Sequence, residues 1–388
     1  MIPAKLLTFQ NAPLELAESG RTLLQRHFVE FDFDMNAESP LLLFVLSGGS
    51  EQFAVKAIKN QPFIILLAHE GNNSWAAATE IKAWMNQRRV EGFMADLNNQ
   101  ADMGKVRQLL RIYVSLEKLK GQKLGLIGTP SDWLVASGIH EDLLKDKTGI
   151  ILKKIEWSEI HDYKDFEPDE DFLEKYPFTN RPAISDASGL NDAIRKVITE
   201  NQLDAISVEC FSIVLEKSIT ACLSLSDLND RGIPAGCEGD LTSITGMMLV
   251  NAVTGIIPWM ANLIKIEESG TVRFAHCTAP TGLLSSFEVD THFETGKGTA
   301  IAGIFSGEEV TIFRLSNDLC KAFLCKAAIT AKQQHPENAC RTMIEVNLNP
   351  KLAGQLKQHP LGNHHLVIPG DHLEAISYAL KMKGIEEI

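Results

Sequence analysis

Residues 41–46, LLLFVL, run directly into Ser47-Gly48-Gly49-Ser50, and residues 63–68, FIILLA, run into His69-Glu70-Gly71-Asn72-Asn73-Ser74. An unbroken apolar run that stops at a Gly- and Ser-rich turn is what a strand covered on both faces requires. Each turn leads into a segment of helical character, through Lys59 in the first case and from about Trp75 in the second. Strand, turn and helix in alternation make βαβ units, which predict a parallel sheet. Gly92-Phe93-Met94 adds a weaker strand. The polar turns follow the strands, so they collect at the carboxyl edge, where open α/β sheets bind ligands.

The pattern restarts near Gly121. KLGLI (123–127) reads as a strand, and Gly128-Thr129-Pro130-Ser131-Asp132 as the turn after it. Residues 149–155 and DAISVE (204–209) are further strands, with a helix over 191–201 between them. The acidic, Pro-containing stretch 162–186 reads as an excursion or flexible loop. After about residue 270 the style changes to alternation over 287–293, 299–315 and 342–348, with a hairpin expected about Ser306-Gly307 and a closing helix from about Asp371 to Lys383. The expected fold is α/β. It comprises two parallel-sheet, Rossmann-like domains (1–120 and 121–268) followed by a mainly antiparallel β domain (269–388).

Composition excludes several classes. The chain has 388 residues, 37 Lys+Arg against 50 Asp+Glu, and a net charge of −13. No basic run exceeds two residues, which argues against nucleic-acid binding. Residues 241–264 carry no charge, but Asn251, Thr254-Gly255 and Pro258 divide them, so a helix, turn and buried strand are expected rather than a membrane span. The seven cysteines show no C-x-x-C spacing and none lies before Cys210, which fits a reducing compartment. The first residues show no basic region followed by an apolar one, so a cytoplasmic location is expected.

Walker, dinucleotide-fingerprint, zincin and nucleophile-elbow motifs are missing. What remains is carboxylates and histidines at strand ends. Glu209 closes DAISVE, Glu238 and Asp240 sit in Gly236-Cys237-Glu238-Gly239-Asp240, His276 closes VRFAH, and His364-His365 opens an apolar run. Carboxylate oxygen with imidazole nitrogen suits Mn²⁺, Zn²⁺ or Fe²⁺. Each residue also has a plainer reading: Asp240 and Glu209 as helix-terminus partners, His276 as a hydrogen-bonded core histidine, and His364-His365 as a solvated turn.

The stretch Cys237-Glu238-Gly239-Asp240-Leu241-Thr242-Ser243 through Met247-Met248 and Thr254-Gly255 resembles the L-fucose/L-arabinose isomerase superfamily. Trp259-Met260-Ala261-Asn262, Phe274-Ala275-His276-Cys277-Thr278-Ala279-Pro280, Cys340-Arg341-Thr342 and Gly362-Asn363-His364-His365 extend the likeness in domain order, and the loops at Ser47 and Asn72 look like those of shorter members. The resemblance implies an aldose–ketose isomerase working through an enediol on a small-molecule sugar. It implies Mn²⁺ or another divalent ion held by acidic and histidine side chains, and a homo-oligomer, trimeric or hexameric. Glu238 becomes first acidic ligand and catalytic acid/base; His276 and His364 or His365 become the histidine ligands. Ser47, Gly48, Gly49, Asn73, Ser74, Glu209 and Asp240 are the expected sugar contacts.

The second acid of the family falls on Asn262, and here the chain departs from the pattern. An amide oxygen can ligate a metal but cannot carry a proton. Either Glu209 or Asp240 supplies the missing carboxylate, or Glu238 alone moves the carbon-bound proton while water or a histidine serves the oxygens. The alternatives are a sugar-binding or regulatory protein without catalysis, and a metal-dependent lyase or epimerase.

Overall fold

The computed structural model describes residues 1–388. Contacts divide the chain into two units, Met1–Glu117 with Tyr378–Ile385, and Lys118–Ser377 with Glu386–Ile388.

The first unit is built on a parallel sheet of β1 (Ile2–Leu7), β2 (Phe33–Asp34), β3 (Leu42–Val45), β4 (Phe63–Ala68) and β5 (Glu91–Asp96), in the order β2-β1-β3-β4-β5. Alternate side chains of one strand enter different cores. Phe63, Ile65 and Leu67 pack with Leu24, Phe28, Val106 and Leu110, whereas Ile64, Leu66 and Ala68 pack with Ala54, Ala77 and Ile81. That two-sided burial is why the strand sequence is apolar without a break. Each large side chain so buried contributes roughly 1.5–3 kcal/mol relative to exposure.

The second unit opens with the parallel strands β6 (Lys123–Ile127), β7 (Ile151–Ile155), β8 (Ala205–Val208) and β9 (Ala235–Cys237), ordered β7-β6-β8-β9. The uncharged stretch then becomes the helix Leu241–Thr254 and the strand β10 (Trp259–Ile266), and no helix of the protein is long and apolar enough to cross a membrane. The strands that follow are β11 (Thr271–His276), β12 (Leu284–Asp290), β13 (Ala300–Phe305), β14 (Glu309–Leu315), β15 (Lys321–Gln334), β16 (Thr342–Asn347), β17 (His364–Pro369) and the short β18 (Glu386–Glu387). Five of them pair antiparallel with β10 in the order β14-β17-β10-β11-β16-β15, and β15 pairs back with β14, so the sheet closes on itself. Trp259, Phe274, Ile312, Phe323, Ile344 and Val367 belong to its core.

Two expectations are corrected. The alternating stretch at 299–315 is not a hairpin: β13 pairs with β12, whereas β14 pairs with β15 and β17. Both strands are buried along nearly their whole length, and β14 obtains its cover from a strand neighbour on each side. The stretch 162–186 is not loose. Asp169 caps a helix, Glu170–Lys175, by accepting from Asp171 N and Phe172 N; Phe172 and Tyr176 then enter the barrel-side core, and Lys175 pairs with Asp227 and Asp230 at 2.9 Å each.

Candidate functional site

Strand β9 ends at Cys237, and the next two residues turn left-handed, Glu238 at φ 63° and Gly239 at φ 69°. A side chain at 239 would place Cβ 2.8 Å from Pro130 Cα, so the turn needs glycine there. A left-handed glutamate costs roughly 1–2 kcal/mol, a strain found where side-chain placement matters. Asp240 follows as the N-cap of the helix Leu241–Thr254, accepting from Ser243 N at 2.7 Å.

His276 is the last residue of β11 and His364 the first of β17, with β10 lying between these strands. Glu238 Oε1 stands 3.8 Å from His276 Nε2 and 3.5 Å from His364 Nε2. All three residues are buried, and their ligand atoms lie within 4.8 Å of one another, a group that could hold a metal ion. Ligands at about 2.0–2.2 Å from a common ion are separated by comparable distances, so little adjustment is needed. His364 Nε2 is buried without a hydrogen-bond partner, as a ligand nitrogen would be before an ion arrives.

Each member is held from behind. Thr278 Oγ1 meets His276 Nδ1 at 3.0 Å, and Asp240 Oδ2 meets His364 Nδ1 at 2.9 Å. That second contact keeps a proton on Nδ1 and turns Nε2 toward Glu238. Arg314, fully buried, donates from one terminal nitrogen to Asp240 Oδ2 at 3.1 Å, Ser243 Oγ at 2.8 Å and the carbonyl of His364 at 2.9 Å, and from the other to Ser137 Oγ at 2.8 Å. Trp133, 53% exposed, donates its indole N–H to Glu238 Oε2 at 2.6 Å.

The electrostatics follow from these contacts. Burial opposes ionisation of Glu238, but the two imidazoles at Oε1 outweigh it and hold the carboxyl well below the usual range. Burial likewise opposes ionisation of Asp240, and Arg314 with His364 outweighs it. For His364, burial favours the neutral ring, yet Asp240 and Glu238 push its pKa up to about 9. His276, where burial dominates, is pushed down.

Asn262 stands in register with both His364 on β17 and Ala275 on β11, hence beside His364 on the same sheet face. Its Oδ1 accepts from Asn363 Nδ2 at 2.7 Å. His365 faces the other way, packed against Phe274 and Phe323 at ring distances of 5.5 and 5.8 Å, with Nδ1 2.8 Å from the carbonyl of Asn363. Glu209 is engaged locally, accepting from Ser212 N at 3.1 Å and Ser212 Oγ at 2.7 Å.

Ser47, Gly48, Gly49, Asn73 and Ser74 belong to the first unit. Ser47 Oγ accepts from Phe9 N at 2.9 Å, and Ser74 Oγ donates to the carbonyl of Val45 at 2.5 Å. Gly48 N bonds the carbonyl of Asn72 at 2.7 Å, and Gly49 and Asn73 adopt positive φ. Phe9, Ser47, Gly48, Asn72 and Asn73 border a cavity of about 670 Å³ at this edge of the sheet.

Trp133, Ser137 and Arg314 were not singled out from sequence. An arginine inside the apolar strand EVTIFRL was the available signal for one of them, since a buried cation needs a partner. Trp133 had a weaker one, its place just after a strand-end turn.

The chain matches no protein-family model. It is similar to proteins named sulfoquinovose isomerase. Those from Priestia aryabhattai and Priestia megaterium are each 24% identical over 297 residues, covering 72% of this chain and 66% of the relative. One from Alkalicoccus urumqiensis is 22% identical over 225 residues, covering 54% and 51%. The chain thus spans just under two thirds of the length of the first two.

Proposed function

We propose that this protein is a divalent-metal-dependent sugar isomerase that interconverts an aldose and a ketose through an enediol. The observation carrying the reading is the buried trio Glu238, His276 and His364, with the partnerless Nε2 of His364 aimed at Glu238. The likeness to sulfoquinovose isomerases supports it and brings a sulfonated hexose among the candidate substrates.

Glu238, His276 and His364 would hold such an ion, with a carboxylate and two imidazoles as donors. A divalent ion there would polarise the sugar carbonyl and stabilise negative charge developing on its oxygen. Glu238 Oε2 keeps a lone pair beside the one that Trp133 occupies, so Glu238 takes the proton from C2 and returns it to C1. Asp240 acts through His364, fixing its ring, while Arg314 fixes Asp240. Asn262 serves as a neutral ligand or a sugar contact, and the Ser47 and Asn73 loops as sugar contacts in the assembled oligomer.

The test is loss of the C2 proton to D₂O, followed by NMR with and without Mn²⁺ over sulfoquinovose, D-glucose, L-fucose and L-arabinose. Mn²⁺-dependent exchange with ketose formation from at least one is expected. No exchange from any, by protein shown to bind Mn²⁺, would overturn the reading.

A further inference from the structure

An isomerase must move two protons, one between carbons and one between oxygens. The acids considered for the second task are all engaged. Asp240 serves Ser243, Arg314 and His364, Glu209 serves Ser212, and Glu238 is taken up with the imidazoles and Trp133.

One buried, titratable group near the trio is uncommitted. His292 lies between β12 and β13 in a turn closed by His292 N to the carbonyl of Lys297 at 3.0 Å and Gly296 N to the carbonyl of His292 at 2.8 Å. Its ring stands edge-on to Phe211 at 5.8 Å, Phe211 stands edge-on to Trp133 at 4.8 Å, and Trp133 holds Glu238. On the other side of the turn, Phe293 packs against Cys277, the residue after His276. The turn is therefore anchored at both ends of the trio. Thr295 Oγ1 meets His292 Nδ1 at 3.2 Å, and Nε2 has no protein partner although the residue is 7% exposed. Burial, and then the nearby His276, pushes its pKa down to about 4, so the ring is neutral at physiological pH.

We propose that His292 is a catalytic residue of this site, its Nε2 contacting O1 and O2 of the sugar and carrying the hydroxyl proton between them. The inference rests on the sugar-isomerase reading. As Glu238 takes the proton from C2, the C–H electron pair forms the C1–C2 double bond and the carbonyl pair moves to O1. Nε2 accepts the proton of O2 as that O–H bond breaks, and the same nitrogen delivers it to O1. Carbonyl character returns at C2 as Glu238 gives its proton to C1. The imidazole ends neutral, and no oxidant or reductant is consumed.

The experiment compares wild type, His292→Phe and His292→Gln on whichever sugar of the panel wild type turns over fastest. Phe keeps the ring against Phe211, and Gln keeps a hydrogen bond but no mobile proton. We expect kcat to fall about 10²–10⁴-fold in both, the range for general acid–base groups. KM should rise in His292→Phe and stay near wild type in His292→Gln. C2-proton exchange should fall less than ketose formation, since the carbon step keeps its base, and Mn²⁺ affinity by titration should stay within about threefold. Either variant retaining kcat within threefold overturns the assignment while leaving the isomerase reading intact. Equal losses of exchange and turnover together with weakened Mn²⁺ binding overturn it in favour of a packing role. A wild type inactive on every sugar instead removes the isomerase reading itself.

Discussion

His364 and His365 are consecutive residues of one strand, and the two faces of that strand give them opposite chemistry. His364 meets Asp240 and Glu238, and its pKa rises to about 9. His365 meets Phe274, Phe323 and the carbonyl of Asn363, and its pKa falls to about 3. Both are fully buried, so burial is not what separates them. The difference is the company: carboxylates repay the desolvation of an imidazolium, whereas aromatic rings do not. A histidine in a β-strand is thus made a partner of carboxylates or a core residue by the parity of its position.

The contrast can be broken on the acidic face first. Glu238→Gln removes the residue proposed both as anionic ligand and as carbon base. We expect turnover to drop by about 10³-fold or more, as for loss of a general base, with Mn²⁺ binding weakened in parallel. Initial rates and calorimetric titration check both. Asp240→Asn leaves the trio in place but no longer fixes the His364 tautomer. Metal affinity should fall about 10–100-fold, the usual effect of losing the carboxylate behind a ligand histidine. Urea denaturation should also show lower stability, because Arg314 loses its buried counter-charge.

Asn262→Asp sharpens the comparison from the strand alongside. It adds a charge next to His364 and keeps the acceptor for Asn363. Mn²⁺ affinity should rise, by about tenfold for one added charge-assisted contact, as read by titration. An unchanged affinity would place residue 262 outside the ligand shell.

The smallest effect lies on the apolar face. His365 stays neutral in the folded protein down to about pH 3, whereas its unfolded value is near 6.5. Between those values the unfolded state binds more protons, so stability falls as pH drops from about 6.5 toward 3, by up to ~1.4 kcal/mol per pH unit. His365→Phe should remove that slope. Urea midpoints at pH 5.0 and 7.5 for the two proteins measure the difference.

How much of this was legible depended on range. Runs such as FIILLA announced buried parallel strands because two-sided burial leaves no room for polar residues. The strand Ile2–Leu7 was not legible, since Pro3 and Lys5 interrupt its apolar character, yet it pairs with strands on both sides. The region 299–315 misled because alternation reports a strand and its faces but not its partner. Arg314 was visible only as an ion in an apolar strand; its partners Ser137 and Asp240 lie 177 and 74 residues away.

By itself, then, the sequence determined the apolar strands and the helices between them in most of the chain, and a short set of acids and histidines able to bind metal. These follow from local periodicity and residue chemistry. Only the tertiary structure decided which of them meet. Closing six strands into a ring fixed the register that brings His276, Asn262 and His364 onto neighbouring strands, and it sent His365 into the core. It also set Arg314 behind Asp240. Register is a property of pairing between distant segments, and a shift of one residue would exchange every side chain between the two faces.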